Sequence, residues 1–176
     1  MVKSPLYTTG NDLIQAGQDL ETADTQLTVP NYFANVRSDN NTVLGVVGKD
    51  YHIVQNRDAF NFFDAIVGGE EGILYETAGA LGNGERIFIT AKLPGYIRVG
   101  NGDDVTEKYL FLTTSHDGSG SITAAFTPIR IVCRNTLNAS LKNMTNVVRI
   151  KHTSGAKQRL EAVSYTHLRA HETDSY

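Results

Sequence analysis

A chain of 176 residues, 40% hydrophobic and 20% charged, is long enough to bury one continuous core and too apolar to be a disordered polyelectrolyte. The single cysteine, Cys133, excludes an intrachain disulfide and favours a cytosolic setting, and the formal net charge of −3 gives no direction taken whole. No apolar run approaches the ~20 residues that cross a bilayer, and the start carries no signal-like apolar stretch, so the expectation is a cytoplasmic protein without membrane contact.

Residues 11–20 (NDLIQAGQDL) read as a short helix and the polar stretch 21–28 as a connection. Apolar runs over 32–37 and 42–48 flank Asp39-Asn40-Asn41, the pattern of a β-hairpin. Asn56 is a suitable N-cap, with Asp58 in the first turn, and Ala59, Phe60, Phe63, Ile66 and Val67 then fall at helical spacing until Gly68-Gly69. Strands are predicted over 73–81 and 85–93 around the turn Gly82-Asn83-Gly84. In the second of these, Ile87, Ile89, Ala91 and Leu93 alternate with Arg86, Phe88, Thr90 and Lys92, which predicts one buried face. Further strands are expected over 96–99, 105–114 and 122–132, a helix over 136–142 capped by Asn135, a strand over 147–152, and a helix beginning near Ser154. Hairpins with segregated helices predict an α+β fold around a largely antiparallel sheet.

The periodicity is lost after Ala162. Val163 to Thr173 resembles a translated frame of the transposase adapter used in shotgun sequencing libraries. The expected organisation is therefore an N-terminal helix and linker over 1–28, one α+β domain over 29–162 whose C-terminal helical part is cut short, and a non-native tail over 163–176. His167 and His171 are set aside from site arguments for that reason.

Charge is distributed unevenly. Residues 1–129 hold 8 Lys/Arg against 16 Asp/Glu, whereas 130–162 hold Arg130, Arg134, Lys142, Arg149, Lys151, Lys157 and Arg159 against Glu161 alone. Such a segment either faces a polyanion, DNA or RNA, or packs against the acidic remainder and is neutralised by it. Tyr75, Phe88, Tyr109 and Phe111 are either core or a stacking platform for bases.

Two stretches stand out, Thr114 to Ser121 (TSHDGSGS) and Pro128 to Leu137 (PIRIVCRNTL). Together with Val36-Arg37-Ser38-Asp39, Leu44-Gly45-Val46-Val47, 51–56 and Tyr75-Glu76-Thr77-Ala78-Gly79, they give a chain that resembles domain-of-unknown-function family 932, also labelled phage/plasmid-like protein. The resemblance implies residence in prophages, phages or plasmids and a long helical continuation, and it supplies no catalytic residues. The positions that match its motifs, Arg37, His116, Asp117, Arg130, Arg134 and Asn135, are candidates only.

In physical terms, Asp117-Gly118 suits a tight reversal, and the glycine-rich loop is alternatively a backbone nest for an anion. Arg130 to Asn135 places two guanidinium groups around a helix start, which suits phosphate, with a plain N-cap as the alternative. Cys133, after Ile131-Val132, is expected to be a buried small hydrophobe. As a nucleophile it would need His116 or His152 beside it, and no metal-ligand spacing is present. No cofactor, metal or catalytic residue is assigned.

The leading expectation is a nucleic-acid contact through Arg130, Arg134, Asn135, Lys142, Arg149 and Lys151. An enzyme acting on a phosphate-bearing substrate requires His116 close to Arg130 or Arg134. A protein that engages a host or phage protein requires an exposed apolar patch.

Overall fold

The computed structural model describes residues 1–11, 24–68, 72–94 and 108–166, in which the apolar positions sort into two antiparallel sheets and three helices. β1 (Val2–Asn11), β2 (Asp24–Val36) and β3 (Val43–Gly48) pair in that order in the first sheet. The second sheet is a meander of β4 (Leu74–Leu81), β5 (Arg86–Lys92), β6 (Tyr109–Ser115), β7 (Ile122–Thr127) and β8 (Thr145–Ile150). The helices are α1 (Asn56–Val67), α2 (Arg134–Lys142) and α3 (Ala156–Thr166). The fold is α+β, as the alternation of hairpins and helices predicts.

The second sheet is covered on both faces. Ile89, Leu110, Leu112, Phe126 and Ile150 pack with Phe63 and Ile66 of α1 and Leu160 of α3. On the opposite face Phe88, Phe111 and Ala125 pack with Ile131 and with Leu137 of α2. The expectation of a single buried face on β5 is therefore corrected: Phe88 and Thr90 are buried as fully as Ile87 and Ile89, because α2 and the segment before it roof the second face. Phe88 and Phe111 belong to this core and are not a stacking platform, while Tyr75 is exposed and hydrogen-bonds Asp64.

Four local expectations change. The N-terminal segment contributes β1, and residues 24–28, read as a connection, are part of β2. Pro5, Pro30, Asn31 at φ 64° and a register shift near residue 6 interrupt the alternation that announces a strand. Most of the helix expected over 11–20, and the strand expected over 96–99, lie outside the described residues. β7 ends at Thr127 because Pro128 has no N–H to give the ladder, so a loop rather than a strand leads to α2. α3 runs to Thr166, four residues beyond the point at which the sequence loses periodicity.

The first sheet meets the second at the turn after β6. A Cβ on Gly45 would lie 2.4 Å from the Asp117 Cα, so this residue lets β3 approach the turn. Buried Asn35 of β2 donates from Nδ2 to the His116 carbonyl (2.9 Å), tying the sheets together at the same place.

Candidate functional site

The residues after Ile129 start from the end of β7 and the roof helix. Cys133, extended at φ −155°, occupies the N-cap of α2 and forms a reciprocal cap with Thr136. Asn135 is therefore a first-turn residue and not the cap. Cys133 is exposed, which corrects its expected burial. Hydrogen bonds from the Thr136 amide, then from its hydroxyl, hold the thiol below its ordinary pKa. Arg134 opens the helix, and no acidic residue stands in its first turn, so a cation sits where the helix dipole favours an anion.

Arg130 is neutralised in part: its Nε lies 2.8 Å from Glu76. Lys157, on α3 and hence on the other face, lies 3.8 Å from Asp58. Arg134, Lys142, Arg149 and Lys151 are exposed and form no ion pair among the described residues. Arg149 pairs in register with Thr123, one strand position away from Val148 and Ile150, which face α1 and α3. It therefore projects to the α2 face, as Arg86 does beside Phe88. The structure thus brings Arg134, Lys142 and Arg149 to one side of the second sheet, and Lys151 follows just beyond β8.

His116 and Arg37 converge elsewhere. A cavity of about 620 Å³ is lined by Arg37, Asp39, Asn56, Arg57, Asp58 and His116, among others. Arg37 clamps two hairpins: it donates to Asp39 through Nε (2.9 Å) and Nη2 (2.5 Å), and to the Asn83 carbonyl through Nη1 (2.7 Å). The bond to Asp39 raises the arginine pKa and lowers that of the carboxylate. Asn56 does not cap α1. Gln55 holds that position without a side-chain bond, and the Asn56 Oδ1 instead lies 2.6 Å from His116 Nε2. Since an amide oxygen can only accept, Nε2 carries the proton, and the fully buried Nδ1 has no partner among the described residues.

Behind His116, His152 stands edge-on at 6.3 Å and stacks on Tyr51 at 4.9 Å, with its Nε2 3.1 Å from Thr114 Oγ1. Burial, then the neighbouring His152, pushes the His116 pKa down to about 4, and burial lowers that of His152 as well. Burial raises the Tyr51 phenol to about 12. Asp117 acts on this cluster through its charge only; its carboxylate accepts from the Ser119 amide and hydroxyl, and Gly118 follows at φ 86° as the predicted reversal requires. Although burial opposes it, the Ser119 bonds and Arg86 hold the Asp117 carboxyl below its usual range.

His116 lies on the α1 side of the second sheet with Leu112, whereas Arg130 and Arg134 flank the α2 side with Ile131. The structure does not bring them together, and Cys133 has neither His116 nor His152 on its face. Sequence reasoning missed Arg86, Asn56 and the Asn35–Tyr51–His152 surroundings of His116. The only signal for Arg86 was its place in the β5 alternation opposite Ile87.

These features define a two-sheet α+β module with a basic face and a separate buried histidine cluster. The chain belongs to the family described as Domain of unknown function (DUF932), whose model matches residues 43–174. No curated protein and no solved structure matches it. Within the matched range, Gly45 lets β3 approach Asp117, and the Thr77 hydroxyl donates to the Ile131 carbonyl at 2.6 Å. No helix among the described residues is long and apolar enough to cross a membrane.

Proposed function

We propose that this chain is a nucleic-acid-associated binding module of a phage or plasmid accessory protein, contacting phosphates through the α2 face. The observation that carries the proposal is the gathering on the α2 side of exposed cations without ion-pair partners among the described residues, Arg134, Lys142 and Arg149, with Lys151 just beyond β8; Arg159, equally exposed, stands on α3 and is not counted with them. An arginine at the positive end of a helix is unfavourable by roughly 0.3–1 kcal/mol unless an anion accompanies it, which supports a role outside the fold. The phage/plasmid setting rests on the family resemblance. Arg130, paired with Glu76, contributes less than its position in the sequence suggests. Fluorescence anisotropy with single- and double-stranded DNA and RNA tests the proposal. Arg134→Gln/Lys142→Gln is expected to weaken binding at least tenfold at low salt, and an unchanged affinity would remove α2 from the contact.

Protein contact is the second reading, supported by Val2, Tyr32, Val43 and Val46 on the first sheet, each about half exposed. Lysine at both Val43 and Val46 is expected to leave oligonucleotide affinity unchanged or raised. A loss would move the nucleic-acid contact to the first sheet.

A further inference from the structure

Under the edge of α2, on the same side of the second sheet, lies a smaller cavity of about 290 Å³, lined by Arg86, Arg149, serine and threonine side chains and, on the α2 side, by the apolar Leu141. Arg86 of β5 pairs in register with Ser115 of β6, and one row further on Thr113, Thr123 and Arg149 lie side by side across β6, β7 and β8. Two cationic arms from strands about 14 Å apart, at three strand spacings, therefore flank a floor of short hydroxyl side chains. Neither arginine forms an ion pair among the described residues.

Ser115 supplies an independent observation. It is 2% exposed, lines the cavity, and its Oγ has no hydrogen-bond partner among the described residues. An unmet buried hydroxyl costs about 1–3 kcal/mol, and a ligand oxygen offered from the cavity removes that cost. The loop from Ser119 to Ser121 closes over it. A Cβ at Gly120 would lie 2.8 Å from the Ser115 Oγ, so only glycine leaves the hydroxyl its room there. Asp117 feels the charge of Arg86 but is committed to the Ser119 amide and hydroxyl. Thr113 spends its proton on the Ile87 carbonyl (2.8 Å) and so is no donor to the site, whereas the arginines and Ser115 are.

We propose that this cavity is a binding site for a phosphate group, held by Arg86 and Arg149 with Ser115 donating from below. Charged donors in planar pairs match phosphate oxygens, and the volume accommodates the group with part of whatever carries it. The bearer is either a nucleic-acid end or a small phosphate compound. Arg149 is shared with the basic face proposed above, but the pocket stands on Ser115, Arg86 and Gly120, and the two readings fail separately.

The test uses the full chain, with thermal unfolding followed against inorganic phosphate and against sodium chloride of equal ionic strength. Phosphate is expected to raise Tm saturably and chloride not. Arg86→Gln and Ser115→Ala should each raise the half-saturating concentration about tenfold, and Gly120→Ala should do so by occlusion, while Lys49→Gln leaves it unchanged. Arg149→Gln, at an exposed position that does not endanger folding, gives a second check on Arg86. A second arm compares 5′-phosphorylated with 5′-hydroxyl oligonucleotides. Tighter binding of the former, lost in Arg86→Gln, assigns a nucleic-acid end, and equal binding with retained inorganic phosphate assigns a small phosphate compound. Retained phosphate binding with no oligonucleotide binding at all would sink the nucleic-acid reading alone. No saturable phosphate effect, or one indifferent to Arg86→Gln, Arg149→Gln and Ser115→Ala, overturns the pocket.

Discussion

A proton arriving at His116 meets a buried ring whose Nε2 already donates to Asn56 and whose edge neighbour is a second imidazole, His152. The N-terminal amine also opposes the charge, and only Asp117 favours it. With a folded pKa of about 4 against an ordinary 6.5, the unfolded chain binds more protons between those values. This contribution to stability is therefore fully present above pH 6.5, declines as the pH falls, and is gone below about pH 4. It is worth up to about 3 kcal/mol, and the lowered His152 acts in the same direction. Urea midpoints measured from pH 7.5 to 4 are expected to fall across that window and to fall less in His116→Gln. A pH-independent midpoint would mean that the imidazole is not held neutral. None of this was legible in the sequence, because Asn56 satisfies the N-cap rule as well as it satisfies His116 and only the packing of β6 on α1 decides between them. Cys133 misleads for a related reason: Ile131-Val132 before it reads as a buried strand, but Pro128 has already ended β7.

At the scale of elements, close approach of backbone makes sharper demands than burial does. Gly45→Ala would place a methyl 2.4 Å from the Asp117 Cα, where neither backbone yields without moving the β3 contact. Overpacking of this kind costs about 1–3 kcal/mol, so urea unfolding of the variant should show that loss. An unchanged midpoint would mean the two sheets separate at no cost. Thr77→Val removes the hydroxyl that donates to the Ile131 carbonyl and ties β4 to the segment before α2. A cost of about 1–2 kcal/mol is expected by the same measurement, and a neutral result would show that water replaces the bond. The second sheet and α1 were legible: Ala59, Phe63, Ile66 and Val67 recur at the helical period, and the glycine-rich turn after β4 separates two apolar runs. β1 and the start of β2 were not, since a half-exposed sheet with proline and a left-handed asparagine lacks the period of two. Residues 130–142 were half legible. The helix was read, but its cap fell two residues early and the loop before it was taken for strand.

Across the whole molecule, the uneven charge of the sequence becomes a difference between faces. Of the basic residues after Ile129, Lys157 lies near Asp58 and Arg159 is exposed on α3, on the α1 and α3 side; Arg130 pairs with Glu76; and Arg134, Lys142 and Arg149 remain exposed on the α2 side, with Lys151 just beyond β8. Composition alone could not separate these groups, because neutralisation depends on which carboxylates the sheets bring within reach. The measurement that bears most directly on the α2 face is oligonucleotide affinity titrated with salt. Four cations contacting phosphates predict that log K falls linearly with log salt at a slope of about −3 on single strands and slightly steeper on duplex, and that Arg134→Gln/Lys142→Gln flattens the slope by about 1–2. Binding that ignores salt, or the absence of binding at low salt, would contradict a phosphate-contacting role for that face.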